Sequence, residues 1–309
     1  MKEQNPHDQI THITLADGMV RGLLLVGTRT VAQGAAIHLT SHVATAAFGR
    51  ALMGTAMMGA MLKEPNASVT VTLNGGGPIG KIVCVADQSG VRGCVDVPNV
   101  ELPLRPDGKL DVGAAVGKAG RMTVVKDLGL KSPYVGQTAL YSGEIAEDFA
   151  AYYTQSEQTP TLQALGVLVD GDAVLAAGGV LLQPLPGCPD DVISQLELRA
   201  PLFSDISRAL CQAPMAEWME DWFRGLSPQV LAQTPLSYRC TCTRARMEKA
   251  LIALGQEELT RMIQDEIDGA ELTCHFCKKQ ERFTQAELRD VKARASATFS
   301  ANTGRLCLR

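Results

Sequence analysis

Hydrophobic and polar residues alternate in the first half of the chain, as they do in antiparallel strands with one buried face. In residues 69–74, Val and Leu occupy every second position, and Thr and Asn occupy the positions between them. Apolar runs at 82–86 and 91–97 follow across turn residues. Because successive side chains of a strand point to opposite faces, this period of two predicts an antiparallel meander. Further strands are predicted at 13–30, 122–126 and 138–141, and a hairpin at 165–182.

Segments with a helical period are interleaved with these strands. The apolar stretch of residues 42–63 predicts one long helix, with Ser41 at its N-cap position. Ser142 is predicted to cap a second helix that carries several aromatic residues. We therefore expect residues 1–183 to form one domain in which helices pack on an antiparallel sheet.

A proline-rich stretch at 184–189 leads from this domain into a run of amphipathic helices. Residues 184–235 are accordingly predicted to be a helical linker. The third of these helices carries both tryptophans of the chain on one apolar face, and Gly225 is predicted at its C-cap. Such a face needs a surface to cover it, so we expect it to dock on the first domain. This linker apolar face consists of Met215, Trp218, Met219, Trp222 and Phe223.

Two close cysteine pairs follow the linker, Cys240-Thr-Cys242 and Cys274-His-Phe-Cys277, with residues 243–273 between them. Each pair offers two sulfurs from one tight turn, and a folded insert would bring the turns together into a tetrahedral site. Four thiolates are soft ligands that neutralise a dication, so they favour zinc or an iron–sulfur cluster over calcium or magnesium. We predict that these four cysteines bind zinc. The alternatives without metal are four ordinary buried cysteines or two structural disulfides.

The predicted fold is therefore α+β, with an N-terminal domain, a linker and a small C-terminal zinc-binding domain. The zinc-binding domain is predicted at 236–295, and a flexible tail at 296–309. The closely spaced thiols of Cys-x-Cys can also oxidise and exchange a metal for disulfides. The sequence thus allows a switch as well as a structural crosslink.

The composition describes a globular chain without an obvious nucleic-acid or membrane partner. The chain has 309 residues, 46% of them hydrophobic, and a formal net charge of −4, which gives no electrostatic reason for general nucleic-acid binding. The polar N-terminal residues contain no secretory hydrophobic region, and the longest apolar run, 51–62, is too short to span a bilayer. Nine cysteines without an export signal are most simply reduced at first. We therefore expect a cytoplasmic protein.

Other functions fit parts of the sequence less well. The alternative for 236–295 is a zinc ribbon that binds nucleic acid, but residues 240–309 carry 12 Lys and Arg against 10 Asp and Glu, a net charge of only +2. A thiol oxidoreductase built on Cys274 and Cys277 would need a βα turn, which the surrounding pattern lacks. The loop before Ile82 resembles a phosphate-binding loop, but Ile82 stands where that loop needs Ser or Thr. We predict that the chain is not an enzyme.

With this layout, the sequence resembles the 33-kDa heat shock protein family of redox-regulated chaperones over residues 10–290. The most specific shared element is the pair of cysteine motifs, and Arg246, four residues beyond Cys242, also fits. Two positions depart from the family pattern: Ala245 stands where an acidic residue is common, and Glu281 where an aromatic residue is common. Neither is a predicted ligand, so the departures concern the metal affinity and thiol reactivity of the site and not its set of ligands. Supporting stretches are Gly77-Pro78, Val91–Gly93, Ser156–Thr161 and Ala177–Gln183.

The resemblance implies an ATP-independent holdase that is inactive while four reduced cysteines hold zinc. Oxidants would convert the site to disulfides, release zinc and unfold the linker. The linker apolar face would then be exposed and serve in binding unfolding client proteins. The resemblance also implies a homodimer in the active state. For the oxidised form we predict the near-neighbour disulfides Cys240–Cys242 and Cys274–Cys277, because closing a short loop costs little entropy.

Overall fold

The computed structural model of the chain describes the backbone of residues 7–265 and 268–303, and the side chains of these segments as far as residue 295. The chain divides into two compact units, Met1–Arg239 and Cys240–Arg309. Residues 184–235, predicted as a separate linker, therefore lie within the larger unit. Among the described residues, no helix is long and apolar enough to cross a membrane.

The larger unit is built on two five-stranded antiparallel sheets, which agrees with the predicted α+β class. The strands in chain order are β1 (Gln9–Leu15), β2 (Val20–Val26), β3 (Ser68–Asn74), β4 (Ile82–Asp87), β5 (Gly90–Val95), β6 (Arg121–Asp127), β7 (Tyr134–Ala139), β8 (Leu162–Asp170), β9 (Ala173–Pro184) and β10 (Gln229–Pro235). The first sheet has the order β10-β1-β2-β9-β8, and the second has the order β5-β4-β3-β6-β7. The predicted meander corresponds to β3–β5 and the predicted hairpin to β8–β9. The strand predicted at 138–141 overlaps only the end of β7.

One nearly fully buried helix lies at the centre of this unit and packs against strands of both sheets. The helices in chain order are α1 (Thr28–His38), α2 (His42–Ala60), α3 (Val112–Val116), α4 (Ala146–Ser156), α5 (Asp190–Arg199), α6 (Ile206–Gln212) and α7 (Met215–Trp222). The central helix is α2, which ends at Ala60 instead of at the predicted Lys63. Its small residues permit close packing: a Cβ added at Gly54 would lie 2.5 Å from Cε2 of Phe149. Small residues in α2 therefore let the helix fit between the sheets.

Helix α4 begins later than predicted. Its N-cap residue is Ile145, at a φ of 74°, and not Ser142. The buried carboxylate of Asp148 explains the shift, because it accepts backbone hydrogen bonds from Tyr141 at 2.7 Å, Ser142 at 3.1 Å and Ile145 at 2.9 Å. Asp148 thus organises the whole turn that enters the helix, a role the predicted serine cap does not have.

The helices of the predicted linker cover one face of the first sheet. Phe203, Met215, Trp218 and Phe223 are buried there in one apolar cluster with side chains of β1, β2 and β9. In the linker apolar face, Met219 and Trp222 are half-buried, and the rings of Trp218 and Trp222 lie 4.2 Å apart. The face is therefore docked on the sheet, although its two tryptophans are unequally shielded from water.

Two details of this segment differ from the prediction. Helix α7 ends at Trp222 with Phe223 as its C-cap residue, so Gly225 does not end the helix as predicted. The segment 229–235, predicted as part of a helical linker, is the strand β10, which pairs with β1. The chain therefore leaves the first sheet after β9, forms helices α5–α7, and returns to the same sheet at β10.

The smaller unit has its own core. Its elements are α8 (Arg244–Leu254), α9 (Gln256–Asp265), β11 (Ala270–Thr273), β12 (Gln280–Phe283) and α10 (Gln285–Thr303). The buried apolar residues are Met247, Leu251, Leu259, Ala270, Phe283, Leu288, Val291 and Ala295. Helix α10 continues into the region predicted as a flexible tail, 296–309, and residues 304–309 lie outside the described residues. This core is small, and domains of this size are marginally stable on hydrophobic burial alone.

Candidate metal centre

Two turns carry the four clustered cysteines. Cys240 and Cys242 lie on the segment just before α8, whose N-cap Thr243 accepts a hydrogen bond from the backbone of Arg246. Cys274 and Cys277 lie in the loop of the β11–β12 hairpin. That loop is closed by Cys274 N–H donating to Lys279 O and by Lys278 N–H donating to Cys274 O, each at 2.9 Å. Each pair of sulfurs is therefore presented by a locally fixed backbone.

The structure brings the four sulfurs together. All four Sγ atoms lie within 4.8 Å of one another. The Sγ atoms of Cys240 and Cys274 are 3.7 Å apart, and those of Cys242 and Cys277 are 3.3 Å apart. A tetrahedral zinc ion with Zn–S bonds of about 2.3 Å separates its sulfurs by about 3.8 Å. The arrangement therefore fits a four-thiolate zinc site.

The thiols differ in their tendency to ionise. Burial, followed by hydrogen bonding to Cys277 and Cys240, raises the pKa of Cys242 well above its usual value. Burial also raises the pKa of Cys240. For Cys274, burial acts in the same direction, but hydrogen bonds from the backbone N–H groups of Cys277 and Phe276 outweigh it, and the pKa is lowered. A cation that replaces the thiol protons would compensate the charge that this half-buried cluster otherwise disfavours.

His275 is not among the residues that converge on the site. Its side chain is exposed, and the metal-type cluster found among the described residues consists of the four cysteines alone. The hairpin also argues against a thiol oxidoreductase, because Cys274 and Cys277 do not lie at the N-terminus of a helix that follows a strand.

The sequence analysis missed one charged residue beside the cysteine turns, Arg244. Its guanidinium forms ion pairs with Glu281 at 3.1 Å and with Glu287 at 2.7 Å. Glu281 is one of the two positions that depart from the family pattern, and it also pairs with Lys279 at 2.7 Å. Ala245, the other departure, is exposed. The available signal was the Thr284-x-x-Glu287 capping box, which places Glu287 at the start of a helix next to the hairpin.

Known proteins match this chain over residues of both units. The sequence model of the family described as Hsp33 protein matches residues 8–284. A 33 kDa chaperonin of Ruminiclostridium cellulolyticum is 41% identical over 286 residues, which cover 92% of this chain and 97% of the relative. A 33 kDa chaperonin of Acetivibrio thermocellus is 43% identical over 284 residues, which cover 91% and 95%. The crystal structure of the 33 kDa chaperonin (heat shock protein 33 homolog) of Thermotoga maritima matches with a TM-score of 0.86 and 34% identity, covering 94% of this chain and 99% of that one.

Proposed function

This chain belongs to the Hsp33 protein family, whose members are chaperones and not enzymes, and we propose that it is a redox-regulated holdase. In the proposed resting state, Cys240, Cys242, Cys274 and Cys277 hold one zinc ion and the chaperone is inactive. Zinc, when bound, would crosslink the two cysteine turns through four sulfur bonds. The single observation that carries this proposal is the convergence of all four Sγ atoms to within 4.8 Å.

The proposed trigger is oxidation of the four sulfurs. Four thiolates, two molecules of hydrogen peroxide and four protons would give two disulfides, four water molecules and a free zinc ion. Formation of each disulfide removes two electrons from its two sulfurs, and one molecule of hydrogen peroxide accepts them. We propose the pairs Cys240–Cys242 and Cys274–Cys277. These pairs leave no covalent link between the two turns, so the smaller unit would lose the zinc crosslink and unfold.

The proposed consequence is release of the segment 185–228 from the first sheet. The linker apolar face supports this part of the proposal, because it is large, aromatic and docked on the sheet by packing. Undocking would expose both this face and the sheet residues beneath it, which are the kinds of surface that an unfolding protein can bind. We further propose that the active form is a homodimer, that client binding requires no ATP, and that the protein works in the reducing cytoplasm, where its thiols start reduced.

One experiment tests the proposed function directly. Zinc content and suppression of aggregation of a chemically unfolded client are measured on the same sample, before and after peroxide and without ATP. We expect one zinc per chain and little suppression at first, then loss of zinc together with strong suppression. A chain that suppresses aggregation equally in both states, or that keeps its zinc while becoming active, would contradict the proposal.

A further inference from the structure

Arg244 connects two parts of the smaller unit through a single guanidinium group. It is the first residue of α8 and lies two positions after Cys242. Its Nη1 donates to the Glu281 carboxylate at 3.1 Å and to the carbonyl oxygen of Arg282 at 3.0 Å. Its Nη2 donates to the Glu287 carboxylate at 2.7 Å. One side chain thus contacts both β12 and the first turn of α10.

The carboxylates that accept hydrogen bonds from Arg244 are also held by other contacts. Glu287 accepts hydrogen bonds from the backbone of Thr284 at 2.8 Å and from its hydroxyl at 2.9 Å. Glu281 is paired with Lys279 on its other carboxylate oxygen. The guanidinium carbon of Arg244 also lies 4.3 Å from the ring centroid of the buried Phe283. Because the acceptors and the ring are already ordered, the planar guanidinium meets a prepared binding surface.

The elements joined by Arg244 are the ones that carry the cysteine turns. Helix α8 follows the Cys240–Cys242 turn directly, and β12 follows the Cys274–Cys277 turn. A cation bound to the four sulfurs would join the same two turns. The smaller unit therefore has a second crosslink between them that consists only of chain atoms.

We propose that Arg244 is a positioning residue for the metal centre, which holds the two cysteine turns at ligand distance and thereby slows loss of the metal. This inference rests on the zinc site of the proposed function. Lysine cannot replace Arg244, because a single ammonium group cannot bridge two carboxylates and a carbonyl while stacking on an aromatic ring. Arg244 consequently governs how readily the site opens when its sulfurs are oxidised.

Two neighbouring arginines provide a contrast. Arg246 donates to the carbonyl oxygen of Thr241 at 3.1 Å, a contact confined to the first cysteine turn. Arg294 pairs with Glu248 at 3.1 Å and joins α10 directly to α8. The variant Glu248→Gln therefore removes an ion pair between the same two helices that Arg244 helps to connect, and it serves as the matched control.

The test measures the rate at which the reduced, full-length protein gives up zinc to an excess of a chromophoric chelator at 25 °C. The variants are Arg244→Gln, Arg244→Lys, Glu281→Gln, the double variant of Arg244→Gln with Glu281→Gln, and Glu248→Gln. Loss of an outer partner of a metal site costs about 10–100-fold in affinity, so we expect zinc release at least about tenfold faster in both Arg244 variants. Glu248→Gln should release zinc at the wild-type rate. The double variant should be no faster than Arg244→Gln, because both changes remove the same contact.

The helical circular dichroism of each variant separates positioning from unfolding. Faster zinc release with an unchanged helical signal supports the proposal. If Arg244→Gln loses that signal, the release rate of Arg244→Lys, which keeps the charge, is compared with that of the wild type instead. Release at the wild-type rate from both Arg244 variants would overturn it, as would equal acceleration by Glu248→Gln. A wild-type chain that binds no zinc would instead overturn the metal site of the proposed function, and this inference with it.

Discussion

The phenolic hydroxyl of Tyr238 donates a 2.8 Å hydrogen bond to the carbonyl oxygen of Gly93, deep in the core of the larger unit. Tyr238 lies two residues before the first clustered cysteine. The backbone around it is hydrogen-bonded to the start of β5: Val91 N–H donates to Ser237 O at 3.1 Å, and Arg239 N–H donates to Val91 O at 2.8 Å. The last residues before the smaller unit are therefore fixed to the larger one.

Tyr238→Phe should destabilise the larger unit by about 1 kcal/mol, because the change removes a buried hydrogen-bond donor and keeps the ring. Urea unfolding followed by tryptophan emission measures this, since both tryptophans lie in the larger unit. Tyr141→Phe is the control, because the Tyr141 side chain is exposed. Equal effects of the two changes would show that the Tyr238 hydroxyl has no special role.

Cys274→Ser should weaken zinc binding by more than the roughly 10–100-fold that follows loss of an outer partner. A serine oxygen is a poor substitute for one of four thiolates in a soft-ligand site. Competition with a chelator gives the affinity, and the proton release that accompanies binding gives the number of thiols that ionise. Cys188→Ser, far along the chain from both turns, should bind zinc like the wild type. Equal zinc retention in the two variants would refute the ligand assignment.

Oxidised protein should contain the near-neighbour disulfides Cys240–Cys242 and Cys274–Cys277. The structure also allows the alternative pairs Cys240–Cys274 and Cys242–Cys277, because their Sγ atoms lie 3.7 Å and 3.3 Å apart. Disulfides across the turns would keep the smaller unit closed, whereas near-neighbour disulfides let it open, as a switch requires. Peptide mapping after partial oxidation distinguishes the two. A dominant bridge across the turns would contradict both the pairing and the proposed opening.

Tryptophan emission should shift to the red when the protein is oxidised at mildly raised temperature. Trp218 is buried and Trp222 is half-buried, so undocking of the linker apolar face moves both indoles towards water. Trp222→Phe isolates Trp218, which has more shielding to lose and should show the larger shift. Helical circular dichroism should fall in parallel. Emission that stays constant while zinc is lost and chaperone activity rises would place the unfolding in the smaller unit alone.

Thr284→Ala should loosen the start of α10, because Thr284 and Glu287 bond to each other's backbone as a capping box. Loss of such a cap costs about 1 kcal/mol, or about fivefold faster amide exchange in the first turns of the helix. Mass spectrometry of the peptide 285–295 measures this exchange. Thr260→Ala is the matched control in α9: its hydroxyl bonds back to Gln256 O within the helix, so its loss should change little. Equal acceleration in both helices would argue against the cap.

The sequence revealed the parts of the fold that depend on local pattern. Residues 69–74 alternate clearly because one face of β3 is buried, and α2 is recognisable by its length and apolar content. The four cysteines could be identified because ligand spacing is itself a local signal. Each of these features depends on residues close together in the chain.

The features that the sequence did not reveal depend on distant partners. In β10, Val230 and Leu231 are exposed and the strand has no buried face, so no alternation marks it. Its partner β1 lies more than 200 residues earlier in the sequence. Arg244 reads as an ordinary helix residue until the fold brings Glu281 and Glu287 beside it. Such contacts follow from tertiary packing, which overrides local preference.

The return of the chain from β9 to β10 makes the helical segment a loop with both ends anchored in one sheet. Such a loop stays tethered when its helices melt, and its effective concentration near the docking face is on the order of millimolar. Redocking of the segment is then a unimolecular step, and its rate does not depend on the protein concentration. In the proposed mechanism, a bound client would compete for the exposed surface with this tethered segment, so restoring the zinc crosslink would favour redocking of the segment and release of the client.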